Sequence, residues 1–112
     1  MPAAPLDLLQ GTVDMLVLQT LAAGPLHGYA IATSIRQCTE GVLQLEDAPL
    51  YKALHRLERQ GYLKAEWGVS ENNRRARYYQ LTPIGRKQLR AEATTWRRYA
   101  DAVLKVLGPA KA

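Results

Sequence analysis

Two groups of residues in this 112-residue chain could do chemistry together, and both are cationic. Lys52, His55, Arg56 and Arg59 recur at i, i+3, i+4 and i+7, the spacing that gathers side chains on one side of a helix. Asn72, Asn73, Arg74 and Arg75 follow one another directly, with Arg77 just behind, and the Asn pair is turn chemistry. Ammonium and guanidinium groups neutralise phosphates, and both can take acceptors on a base edge, so a basic helix face and a basic loop tip suit a nucleic-acid duplex. Tyr51, at the border of the helix's apolar stripe, adds a hydroxyl able to donate to a phosphate. The bland alternatives are a solvated helix face and a tip that only aids solubility.

Other chemistries have less to work with. An enzyme needs a nucleophile beside a base, a carboxylate pair or a metal set, and neither His27 nor His55 has such a partner in the sequence. No catalytic residue, no metal ligand and no cofactor are expected. Cys38 is the single cysteine, so an intrachain disulfide is excluded, and it reads as a small core residue. The net charge of +5 favours a polyanionic partner, and a dimer would carry twice that excess. The start, Met1 to Pro5, lacks a basic signal-peptide region, and apolar runs such as Met15 to Leu18 are far too short to span a membrane. A cytoplasmic protein with no membrane partner is expected.

The elements that must position the cations follow from periodicity. Val13, Leu16, Val17 and Leu21 predict a first helix over 11–23, stopped by Gly24-Pro25. Ile31, Ile35 and Cys38 share the inner face of a second, over 28–39. Val42 to Leu45 suits a brief strand, and Asp47 an N-cap for a third helix over 48–60, whose inner stripe is Leu50, Ala53, Leu54 and Leu57. Tyr62 to Val69 alternates, placing Leu63, Ala65, Trp67 and Val69 on the inward side of a strand, and a second strand over 75–81 completes a hairpin with the Asn-Arg cluster at its end. Thr82-Pro83 starts a last helix that runs to Leu107, before Gly108-Pro109.

In that last helix Leu89, Ala93, Trp96, Ala100, Val103 and Leu107 are spaced alternately by four and three residues, a heptad seam that favours a helix from a second copy over packing on its own domain alone. Trp96 stands between the small residues Ala93 and Ala100, so two copies could leave a slot for a small planar aromatic effector, dry packing of Trp96 being the alternative. The fold expected is mainly α with a small β-hairpin: a winged helix-turn-helix over 11–81, a dimerisation helix over 82–107, an N-terminal extension over 1–10 and a tail over 108–112. In such a fold the third helix enters the major groove and the wing meets the backbone or the minor groove. Both basic groups fall on those two elements, which favours double-stranded DNA over a winged-helix module that binds another protein.

The chain resembles the PadR family of bacterial winged-helix regulators. The likeness is carried by Leu9-Gln10-Gly11-Thr12-Val13-Asp14, His27-Gly28-Tyr29, Leu50-Tyr51-Lys52-Ala53-Leu54-His55-Arg56-Leu57-Glu58, the stretch from Trp67 to Tyr79, and Leu81-Thr82-Pro83-Ile84-Gly85. It implies a transcriptional regulator, usually a repressor, that binds a roughly palindromic operator as a homodimer. One departure matters. Relatives open the third helix with a small Gly or Ser pair and carry proline after the tyrosine, whereas here Ala48-Pro49 precede Leu50-Tyr51 and Lys52 takes the proline position. The operator therefore cannot be borrowed from relatives. His27 reads as a structural residue of the turn into the second helix.

Overall fold

The computed structural model describes residues 8–9 and 11–110, so the N-terminal extension falls outside the described residues apart from Leu8 and Leu9, as do the last two residues of the tail. Helix α1 (Thr12–Thr20) starts where Gly11 turns left-handed and tightens into a 3-10 turn over Leu21–Ala23 before Gly24-Pro25. Strand β1 (Leu26–His27) leads directly into α2 (Gly28–Cys38), because His27 caps that helix: its Nδ1 accepts the Ala30 N–H at 3.2 Å. The remaining elements are α3 (Asp47–Arg59), β2 (Leu63–Val69), β3 (Arg75–Leu81) and α4 (Pro83–Leu107).

The strands form one antiparallel sheet in the order β1-β3-β2, with Leu26 opposite Tyr79 and Leu63 opposite Leu81. This register fixes the base of the hairpin in the core. Val17, Leu18 and Leu21, Ile31 and Ile35, Leu50, Leu54 and Leu57 interlock there with Leu63, Tyr79, Leu81 and Leu89. Helix α4 departs from the sheet through a clasp at Thr82. The Thr82 hydroxyl caps the helix by accepting the Gly85 N–H at 3.1 Å and donates to the Gly61 carbonyl at 2.7 Å, while its N–H donates to the Tyr62 carbonyl at 3.1 Å.

Several expectations are corrected. Cys38 is exposed, because it is the last residue of α2 and the chain leaves the core at Thr39, whose hydroxyl donates to the Ile35 carbonyl and accepts the Leu43 N–H. Those bonds also hold Val42–Leu45 in an irregular path, with a lone bridge at Leu43 in place of a strand. Asp47 is the first helical residue of α3 and Glu46 the N-cap, with no side-chain capping bond. Trp67 and Val69 are 61% and 64% exposed, since β2 runs past the end of the core and its inward side faces solvent there. Strand β1 has no signature in the sequence, because two residues are too short to show a period.

The last-helix seam divides. Leu89 is buried in the chain's own core and Ala93 is partly buried, whereas Trp96, Val103 and Leu107 are exposed along a helix that runs off the domain.

Candidate nucleic-acid interface

Helix α3 buries Leu50, Ala53, Leu54 and Leu57 and thereby turns Tyr51, Lys52, His55 and Arg59 outward. Tyr51 passes closely over the start of α2: a Cβ on Gly28 would lie 2.7 Å from its hydroxyl oxygen. Glycine in the His27-Gly28-Tyr29 segment thus makes room for a tyrosine of the next helix. The obstacle is the free end of a half-exposed ring, so Gly28→Ala should leave the melting temperature within a few degrees of the wild type. It should swing Tyr51 aside, seen as a shift of the Tyr51 ring resonances; unchanged resonances would contradict the close approach.

Two of the expected cations are already engaged. Arg56 reaches back to α1, its Nε donating to Asp14 Oδ2 at 3.3 Å and its terminal nitrogen pairing with Asp14 Oδ1. That hydrogen bond raises the Arg56 pKa above its ordinary value against the opposing effect of burial. Arg56 is therefore a strut between α1 and α3, not a freely projecting group. Its side chain remains 44% exposed, so Arg56→Ala should lower stability by only about 1 kcal/mol or less, measured by urea denaturation. Arg77 pairs with Glu58 of α3 at 2.8 Å and lies 5.9 Å from the Tyr79 ring centre. Its Nε is buried without a hydrogen-bond partner among the described residues. Burial raises the Tyr79 pKa, and Arg77 works against that rise.

The wing tip is a tight turn. The Ser70 N–H donates to the Arg74 carbonyl at 2.8 Å, the Asn73 N–H donates to the Ser70 carbonyl at 2.9 Å, and Asn73 holds a left-handed φ of 57°. This turn exposes Asn72, Asn73, Arg74 and Arg75. Below it the His27 Nε2 stands 3.7 Å from Glu71, and the His27 ring meets Tyr78 edge-on at 5.4 Å.

These elements enclose an open concavity of about 620 Å³. Tyr51 and His55 of α3 line it, as do Asn72, Arg74, Arg75 and Arg77 of the wing. Lys52 lies on the other flank of α3, in a shallow depression with Asp14, Pro49 and Arg56, and Arg59 and Asn73 are outside the concavity. Among the lining residues that sequence reasoning missed are two exposed aromatic rings. Tyr29 is 72% exposed at the first turn of α2, and alternation alone places Trp67 on the inward side of its strand. The sequence signal for Tyr29 was its place after His27-Gly28, at the mouth of a helix.

Trp96 lines a second cleft, of about 650 Å³ between α1 and α4, with Thr12, Met15, Glu92 and Tyr99. Its ring meets Tyr99 edge-on at 5.8 Å. Among the described residues no three His, Cys, Asp or Glu side chains gather as metal ligands, and no helix is long and apolar enough to cross a membrane.

Four helices with a small antiparallel sheet, in this order, make a winged helix-turn-helix with an appended helix, the architecture of a class of transcriptional regulators. Residues 17–91 match the transcriptional regulator PadR-like family, and the chain belongs to it. A transcriptional regulator from Clostridium thermocellum superposes with a TM-score of 0.80 at 32% identity, covering 88% of this chain and 96% of that one. A PadR family transcription regulator from Clostridium difficile R20291 gives 0.75 at 29% identity, covering 88% and 100%. A 37.1 kDa protein in transposon TN4556 of Streptomyces fradiae is 40% identical over 96 residues, which are 86% of this chain and 26% of that protein.

Proposed function

We propose that the protein is a sequence-specific regulator of transcription that binds double-stranded DNA as a homodimer on a roughly palindromic operator, acting as a repressor in the cytoplasm and not as an enzyme. The observation that carries this reading is the concavity itself, where α3 and the wing bring Tyr51, His55, Arg74 and Arg75 to one face of the domain. A duplex laid on that face meets α3 in its major groove while the wing's cations meet phosphates. Membership of a family of transcriptional regulators supports the same reading. Residues 11–81 then serve as the DNA-binding domain and 82–107 as the dimerisation helix, joined through Ala93, Trp96, Ala100, Val103 and Leu107. A small planar aromatic effector would enter beside Trp96, where Met15 and Tyr99 also line the cleft between α1 and α4.

The test is the salt dependence of duplex binding across a set of variants. Arg74→Ala and Arg75→Ala should each weaken specific and random duplexes alike and reduce the slope of log K against log salt by about one. Lys52→Ala, which removes a cation from the outward face of α3, should weaken the operator more than random DNA. Glu58→Gln should act in the opposite sense, because it frees Arg77 from its ion pair: random duplexes bind more tightly and the slope steepens by up to about one. A wild type that binds neither the operator nor a random duplex would point instead to a protein partner.

A further inference from the structure

The three wing arginines are in three different states, and the difference lies in what holds them. Arg77 is drawn towards α3 by Glu58 at 2.8 Å. Among the described residues Arg74, at the tip, has neither an ion pair nor a stacked ring. Arg75 has its guanidinium carbon 4.4 Å from the centre of the Trp67 ring. The strand register explains this pairing. Trp67 is directly opposite Arg77, and Arg75, opposite Val69, is its diagonal neighbour, so both arginines lie beside one indole. Glu58 removes Arg77 from the competition and leaves the ring to Arg75.

Trp67 itself calls for an explanation. A tryptophan 61% exposed on a wing beyond the core contributes little to folding by burial, and the group resting on its face is Arg75. Stacking engages the flat face of a guanidinium and leaves its in-plane N–H donors free. It also narrows the rotamers of a long side chain before any ligand arrives, which lowers the entropy lost on binding. Both residues line the concavity that also contains Tyr51 and His55.

We propose that Trp67 is a positioning residue for DNA binding, holding Arg75 against its indole face so that the guanidinium edge is presented, already ordered, to the phosphates of a duplex. The inference rests on the DNA-binding reading above and adds a role for a residue which that reading does not need.

A double-mutant cycle on duplex affinity tests it, using wild type, Trp67→Leu, Arg75→Ala and the double variant, with Trp67→Tyr as the conservative replacement. Trp67→Leu keeps every charge, yet should weaken binding at low salt roughly three- to tenfold. Trp67→Tyr retains a π face and should recover most of the loss. In the Arg75→Ala background Trp67→Leu should change almost nothing. In the free protein the Arg75 Nε–H resonance should be shifted upfield by the indole and return to its ordinary position in Trp67→Leu. Additive losses, or an Arg75 resonance that ignores the substitution, would overturn the positioning role while leaving DNA binding intact. A wild-type protein that binds no duplex would overturn both.

Discussion

Gly85→Ala should destabilise the fold by about 3 kcal/mol or more, and no other single methyl is expected to do as much. A Cβ at this position falls well inside van der Waals contact with the Tyr62 carbonyl oxygen and 3.0 Å from its carbon, with a Leu81 methyl 3.2 Å away. The obstacle is backbone, and that carbonyl is already fixed by the Thr82 N–H at 3.1 Å. Relief therefore requires α4 to tilt away from the sheet, breaking the Thr82 clasp and lifting Leu89 from the core. In a domain of this size such a loss lowers the melting temperature by more than about 12 °C. Lys87→Ala, two residues on and exposed, should shift it by only a degree or two. A Gly85→Ala protein that melts with the wild type would mean that α4 does not enter the domain as described.

The second large effect concerns the free end of α4. Towards its C-terminal end the helix leaves its own domain, and Tyr99, Val103, Leu104 and Leu107 are 54%, 41%, 61% and 72% exposed. An apolar face of this extent on a helix of 25 residues suits the proposed dimer, and the heptad spacing offers the geometry for a second copy. Charging that face with Val103→Glu and Leu107→Glu should yield a folded monomer in sedimentation. The winged domains would then bind their half-sites independently, with an expected loss on a palindromic operator of about a hundredfold or more. Affinity for a single half-site should change little. A wild type that sediments as a monomer, or a charged variant that keeps full operator affinity, would contradict the dimer.

How far the sequence could be read depended on whether a residue's partner was near or far along the chain. The Thr82 cap, the stop at Gly24-Pro25 and the apolar stripe of α3 were legible because each is set by neighbours within a turn or two. The ion pairs were not, since Asp14 and Arg56 are 42 residues apart and Glu58 and Arg77 are 19 apart. Periodicity assigns a side chain to a face and is silent about the partner waiting there, so it predicts Arg56 and Arg77 as free cations. The same limit explains Trp67, Val69 and Cys38. A period gives the side of an element but not how far along it the core extends.

The central claim is selective binding of duplex DNA, and the most direct measurement is a titration of the purified wild type with the duplex upstream of its own coding sequence and with a random duplex, each at two salt concentrations. The account predicts tight binding to the upstream duplex, weaker binding to the random one, and a steep loss of both as salt rises. Binding to neither duplex, or equal binding to both at each salt concentration, would contradict it.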